Sequence, residues 1–200
     1  AVFLDGIRQT TEQEMDVVDM VLAGKMNKYI VRLFAAAGVR AAGLSGCDGA
    51  IFTGEAVSGD SRTGRVTAAS PEILTLLSEG GYLPVISSVS MDKNGGALNI
   101  NADEAALAVA AAIPVDYLVF ISDIPGILKN EVVISRLTPE QVEAEITAGV
   151  INGGMIPKVR SSVTALNEGV GAVIIGGYSG KKDLKKLLEG TLGTKIIGSE

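Results

Sequence analysis

Asp116-Tyr117-Leu118-Val119-Phe120-Ile121 sets apolar side chains on successive positions, a pattern suited to a strand buried on both faces. Val39 to Leu44, Tyr82 to Ile86, Ala172 to Ile175 and Lys195 to Ile197 read as further strands, and helical segments lie between them. Apolar strands that alternate with helices and are bounded by glycine and proline predict an α/β fold: a mostly parallel open sheet with helices on both faces. Ligands in such folds sit at the carboxyl ends of the strands.

The helices carry their own punctuation. Thr10 or Thr11 can cap a first helix, with Glu14 closing a capping box. That helix carries Met15, Val18, Val21 and Leu22 on one face and is expected to end near Gly24. A second is expected from Met26 to Ala37, stopped by Gly38. Ser70 as cap and Pro71 at the first position open a helix that ends at Gly80-Gly81. Further helices are predicted from Ala102 to Ile113, from Thr138 to Ala148, from Pro157 to Glu168 and from Asp183 to Leu188. The Gly-, Ser- and Thr-rich stretch from Cys47 to Ala69 reads as a surface β-hairpin region, and Ser87 to Gly96 as a loop.

Composition narrows the function. Hydrophobic residues make up 47% of the chain, enough for a real core. The formal net charge of −6 argues against nucleic acid or an anionic membrane as partner, although a local basic cluster can still meet a small anion. The single cysteine, Cys47, permits no intrachain disulfide and fits a reducing, cytoplasmic setting. No apolar run reaches the roughly 20 residues of a membrane-spanning helix. The chain opens on Ala1-Val2-Phe3, inside what reads as a strand, and is expected to continue upstream. Histidine is absent, so no His-based triad, metal ligand or general base is available. Chemistry that needs positioned charge suits the remaining inventory best.

Four segments can carry such chemistry. In Leu98-Asn99-Ile100-Asn101-Ala102-Asp103, an extended chain would turn Asn99, Asn101 and Asp103 to one side. Asn101 is explained as a helix cap, completed by Glu104 as a capping box, whereas Asn99 between two apolar residues is not. In Gly153-Gly154-Met155-Ile156-Pro157-Lys158, a helix start with free N–H groups and Lys158 can hold a phosphate; the plain alternative is a solvated lysine. Ser122 to Ile127 follows a buried strand, where nucleotides bind, but also reads as a Pro-Gly turn. Arg8, after Asp5-Gly6-Ile7, can grip a carboxylate with its two-pronged fork, or be an ordinary surface arginine. Cys47 reads as a small packing residue. Lys181, Lys182, Lys185 and Lys186 read as a solvated helix face.

Taken in order, these segments resemble the acetylglutamate kinase branch of the amino-acid kinase family. The resemblance extends over essentially the whole chain. Besides the four segments it rests on Ala23-Gly24-Lys25-Met26-Asn27-Lys28, Gly43-Leu44-Ser45-Gly46 and Gly81-Tyr82-Leu83-Pro84-Val85. It implies an amino-acid kinase-like αβα sandwich, with residues 1–100 mainly on the amino-acid side and 101–200 mainly on the nucleotide side. It implies ATP-dependent phosphorylation of the side-chain carboxylate of N-acetyl-L-glutamate, an early step of arginine synthesis. By the same resemblance Arg8 clamps a substrate carboxylate and Asn99 binds the acetylamino acid. Lys158 neutralises the transferring phosphoryl group and Asp103 orients the catalytic lysines. Asp123, Ile124, Pro125, Gly126, Ile127 and Leu128, with Val150, Ile151 and Asn152, surround the nucleotide. Mg²⁺ is held mainly through the ATP phosphates, without protein metal ligands.

The family's N-terminal lysine-glycine strand and glycine-rich turn are not found in the sequence, so the chain alone is expected to be inactive. The short segment from Gly176 to Gly193 suggests an unregulated homodimer rather than an arginine-inhibited hexamer. Two other readings stay open. One is an aminoadipate-type kinase of the same family acting on a carrier-linked substrate. The other is a non-catalytic amino-acid-binding regulator that kept the fold.

Overall fold

A computed structural model describes residues 2–4 and 7–198, with side chains from residue 9 onward. The chain forms two compact units, residues 1–112 and 113–200. Both units combine helices with small mixed sheets, in keeping with the α/β class.

The first unit opens with an antiparallel pair, β1 (Val2–Leu4) and β2 (Ile7–Gln9). Thr11 then starts a helix through a reciprocal capping box. Its N–H donates to Glu14 Oε2 at 2.8 Å, and the Glu14 N–H donates to Thr11 Oγ1 at 3.2 Å. The expected break at Gly24 does not occur. Helix α1 (Glu12–Asp19) continues through a π-helical stretch, Met20–Met26, into α2 (Asn27–Ala36). A π turn admits an extra residue without breaking the helix, and a glycine in right-handed conformation there ends nothing. Gly38, with φ at +79°, supplies the left-handed residue that does.

Along the rest of the unit follow β3 (Ala41–Ser45), β4 (Phe52–Ala56), β5 (Thr63–Ala69), α3 (Glu72–Glu79), β6 (Leu83–Ser87), β7 (Val89–Met91), β8 (Ala97–Ile100) and α4 (Ala102–Ala112). β3 and β6 pair in parallel. The other four strands form one sheet in the order β4-β5-β8-β7, with β5 and β8 parallel and the outer pairings antiparallel.

Three local expectations change. The stretch from Cys47 to Ala69 is a hairpin but not a surface one: Ile51 and Phe52 are fully buried, with Leu74, Leu98, Ile100 and Ala105, in the core beneath α3 and α4. Ser87 to Gly96 is not a loop but the first arm and turn of the β7–β8 hairpin, because Asp92 closes the turn through the N–H groups of Asn94 and Gly96. Ser70 does not cap α3; its N–H donates to the Ile51 carbonyl, and Pro71 stands at the cap position.

A buried amide joins the long helix to the parallel pair. Asn27, 3% exposed, donates through Nδ2 to the carbonyls of Leu44 at 2.9 Å and Val85 at 2.8 Å. Lys28 Nζ donates to the Gly43 carbonyl at 2.8 Å and to Asn27 Oδ1 at 3.1 Å. A Cβ at position 43 would stand 2.1 Å from Asn27 Oδ1, so only glycine admits this approach.

The second unit contains β9 (Tyr117–Ser122), the small hairpin of β10 (Leu128–Lys129) and β11 (Val132–Val133), β12 (Arg136–Leu137), α5 (Pro139–Thr147), α6 (Met155–Asn167), β13 (Ala172–Gly177), α7 (Asp183–Glu189) and β14 (Thr194–Ile197). Its sheet runs β12-β14-β13-β9, with β13 parallel to β9 and antiparallel to β14. Val173, Ile174 and Ile175 are fully buried, which accounts for their unbroken apolar run. Thr138 and Gln141 cap α5 reciprocally. α6 starts two residues earlier than Pro157 suggests, with Gly154 as cap and Pro157 inside the first turn.

Candidate active site

In the first unit the candidate residues gather where β8 runs into α4. The extended chain ends at Ile100, so Asn99, Asn101 and Asp103 are not one strand face. Asn101 caps α4: its Oδ1 accepts the N–H of Asp103 at 2.8 Å and that of Glu104 at 3.3 Å. Glu104 does not complete a capping box; its carboxylate reaches across to the Val66 N–H at 2.6 Å. Asp103 therefore stands half-buried in the first turn of α4, one short loop past Asn99.

Asn99 lies between Thr63 of parallel β5 and Val89 of antiparallel β7. Its Nδ2 donates to Thr10 Oγ1 at 3.0 Å, and the Thr63 hydroxyl donates to the same oxygen at 3.1 Å. Thr10 is 2% exposed, and its carbonyl accepts the Arg62 N–H at 2.7 Å. Thr11 supplies the helix cap, which leaves Thr10 to turn inward. The Arg8 side chain lies outside the described residues. Its backbone pairs with Phe3, and two residues of chain, at most about 7 Å, separate it from Thr10.

A second charged pair braces this corner. Arg62 Nη2 meets Asp92 Oδ2 at 3.1 Å, while Arg62 Nε donates to the Ala97 carbonyl at 2.8 Å. The backbone N–H groups of Gly96 and Asn94, and then Arg62, hold the Asp92 carboxyl below its ordinary value. Arg62 and Thr63 carry no local signal in the sequence. Thr10 does, as a polar residue two positions after Arg8, but its sequence context reads as a helix cap.

In the second unit, the parallel strands β9 and β13 end side by side, with Ser122 opposite Gly177. The segment after β9 is held from below. Gly126 and Ile127 are buried, the Ile127 N–H donates to Thr194 Oγ1 at 2.8 Å, and a Cβ on Gly126 would stand 2.8 Å from Val133. Asp123, Pro125 and Leu128 are exposed, and Ile124 is half-buried. Ile127 and Ile151, at 3% and 2% exposure, place their side chains in the core, so only their backbone can meet a ligand. Val150 is half-buried and Asn152 exposed in the turn before α6, where Asn152 Nδ2 donates to the Gly149 carbonyl at 3.2 Å.

Lys158 is half-buried in the first turns of α6. Its ammonium lies 4.9 Å from the centroid of the Phe120 ring on β9. The helix thus brings a cation beside the strand whose carboxyl end leads into Asp123. Among the described residues no three His, Cys, Asp or Glu side chains cluster as metal ligands. Cys47 is exposed rather than packed, 3.1 Å from Ser45 Oγ. Among the described residues no helix is long and apolar enough to cross a membrane. The lysine face of α7 is partly paired: Asp183 accepts from Lys186 at 3.1 Å, and Lys185 approaches Glu189 at 3.6 Å.

The geometry can be set beside known proteins. The family model described as amino acid kinase family matches residues 3–177. An acetylglutamate kinase of Geobacillus thermodenitrificans is 42% identical over 181 residues, which covers 90% of this chain and 69% of that protein. One from Bacillus licheniformis is 40% identical over 201 residues, covering 98% of this chain and 75% of that protein. A crystal structure of a Streptococcus mutans protein superposes with a TM-score of 0.81 at 28% identity, covering 98% of this chain and 76% of that one. A strand-end corner with a buried polar brace, a lysine at a helix start, and sequence identity of this extent place the chain in the amino acid kinase family.

Proposed function

We propose that this protein transfers the terminal phosphate of ATP to the side-chain carboxylate of N-acetyl-L-glutamate, in arginine biosynthesis. The observation that carries the reading is the roughly 40% identity to acetylglutamate kinases over nearly the whole chain. The two candidate corners support it. Arg8 and Asn99 are assigned to the acetylamino acid, Lys158 to the charge on the transferring phosphoryl group, and Asp103 to orienting the catalytic lysines. Asp123 to Leu128 and Val150 to Asn152 are assigned to the nucleotide, with Ile127 and Ile151 contributing backbone groups.

The chemistry suits a chain without histidine. Phosphoryl transfer depends on positioning and charge stabilisation. The attacking carboxylate is already ionised at neutral pH and needs no general base. Mg²⁺ enters with ATP as a hard cation satisfied mainly by phosphate oxygens and water.

A homodimer in the cytoplasm completes the reading. The long helix leaves Val17, Val21, Met26, Ile30 and Leu33 between 37% and 54% exposed. The five-residue step from Val21 to Met26 falls in the π turn, whose extra residue per turn keeps these residues on one face. Apolar stripes of this kind mark contact surfaces, and a second copy of the chain is the proposed occupant.

The test is ADP release by the full-length protein with N-acetyl-L-glutamate, set against a carrier-linked aminoadipate derivative. Turnover of the first alone is expected. Turnover of the second alone would reassign the substrate, and binding without turnover of either would point to a regulator.

A further inference from the structure

We infer that Glu145 is a positioning residue for the nucleotide, paired with Lys129 so that the two nucleotide-facing segments are held at a fixed spacing; this rests on the assignment of Asp123 to Leu128 and Val150 to Asn152 to ATP. Lys129 follows Leu128 directly in β10. Its Nζ donates to Glu145 Oε1 at 2.5 Å. Glu145 stands in the last turn of α5, and its carbonyl accepts the N–H of Val150 at 3.0 Å and that of Ile151 at 3.1 Å. The Gly149 N–H donates to the Ile146 carbonyl at 3.0 Å, with Gly149 at φ +75°, which completes a Schellman turn. The backbone of Glu145 thus fixes where Val150 leaves the helix, and its side chain fixes where the segment ending at Leu128 lies.

Stability alone does not favour a carboxylate here. It sits near the negative end of the helix dipole. Its side chain is 16% exposed, and among the described residues Oε2 is buried without a hydrogen-bond partner. Well-packed apolar side chains often replace such a pair without loss of stability. What only the carboxylate supplies is the tie to Lys129. Neither residue is assigned a contact with ATP; the pair acts through the backbone of its neighbours.

Titration calorimetry of the full-length protein with MgADP and, separately, with N-acetyl-L-glutamate tests this. Lys129→Met and Glu145→Met each remove the tie and are expected to weaken ADP about 10-fold while leaving N-acetyl-L-glutamate unchanged. The double variant should bind ADP no more weakly than either single variant, because both remove the same link. Lys129→Arg keeps the link and should keep the affinity. In steady-state assays the loss should appear in the KM for ATP rather than in kcat. Should Glu145→Met not fold, Glu145→Ala carries the same comparison. If Lys129→Met binds ADP as the wild-type protein does, whatever its melting temperature, or if the two losses add in the double variant, the pair does not position the nucleotide and the inference falls. Equal weakening of both ligands would mark a general loosening of the fold and overturn it as well. If the wild-type protein binds no ADP, the nucleotide assignment itself falls and takes the inference with it.

Discussion

Lys158 and Asp183 show how much a single side chain is decided by its place. Lys158 is assigned to charge developing on the phosphoryl group, and its ammonium also lies over the Phe120 ring. Lys158→Ala should lower kcat on the order of 10²- to 10³-fold, the scale of losing one preorganised charge stabiliser. Loss of its cation–π contact should cost on the order of 1 kcal/mol of stability. Steady-state kinetics and a melting curve on the full-length protein separate the two effects, and retained activity would overturn the assignment. Asp183 is structural. The Ser179 N–H, then Lys186 and the Ser179 hydroxyl, lower its pKa from 3.8 to about 2. A depressed folded-state value means stability that is present above the unfolded value and lost as pH falls through the folded one. Acid denaturation should therefore show a contribution between about pH 4 and 2 that disappears in Asp183→Asn. An unchanged acid profile in the variant would refute it.

Among the elements, the long first helix departs most from its local signals. The Thr11–Glu14 box was legible because both partners lie within one turn of helix. The continuation past Gly24 was not, because what holds α2 in place is Asn27, whose partners are 17 and 58 residues away. Asn27→Leu would bury two carbonyls without donors, and a loss of about 2–3 kcal/mol is expected in urea denaturation. Gly43→Ala should destabilise by the same route, since its methyl group would meet Asn27 Oδ1. A wild-type urea midpoint in both variants would mean that the helix is anchored elsewhere. The β7–β8 hairpin went unread for a related reason. Its turn is closed by Asp92 with Arg62 behind it, 30 residues apart, while the sequence of the turn alone reads as loop.

For the molecule as a whole, the apolar stripe of the long helix makes a quantitative claim on association. Val17 and Leu33, 54% and 53% exposed, offer positions on it where a charge costs the monomer little. The double variant Val17→Glu, Leu33→Glu is expected to sediment as monomer at concentrations where the wild-type protein is dimeric. A wild-type protein that sediments as monomer would remove the dimer from the reading.

Much of the chemistry was open to inspection before any coordinates. The absence of histidine is read from composition, and the oddity of Asn99 among apolar residues and Lys158 one residue past a first-turn proline are properties of neighbouring residues. So are the caps at Thr11 and Thr138 and the buried run of β13. Each depends on interactions within about one helical turn or on strand alternation, which sequence displays directly. The meeting of Thr10 with Asn99, 89 residues later, does not. It depends on the register of β5 against β8 and on Arg62 bridging the two backbones, and no local pattern encodes that pairing. Sequence determined which functional groups this protein has; tertiary structure decided which of them meet, because only packing brings the Thr10 hydroxyl against the Asn99 amide.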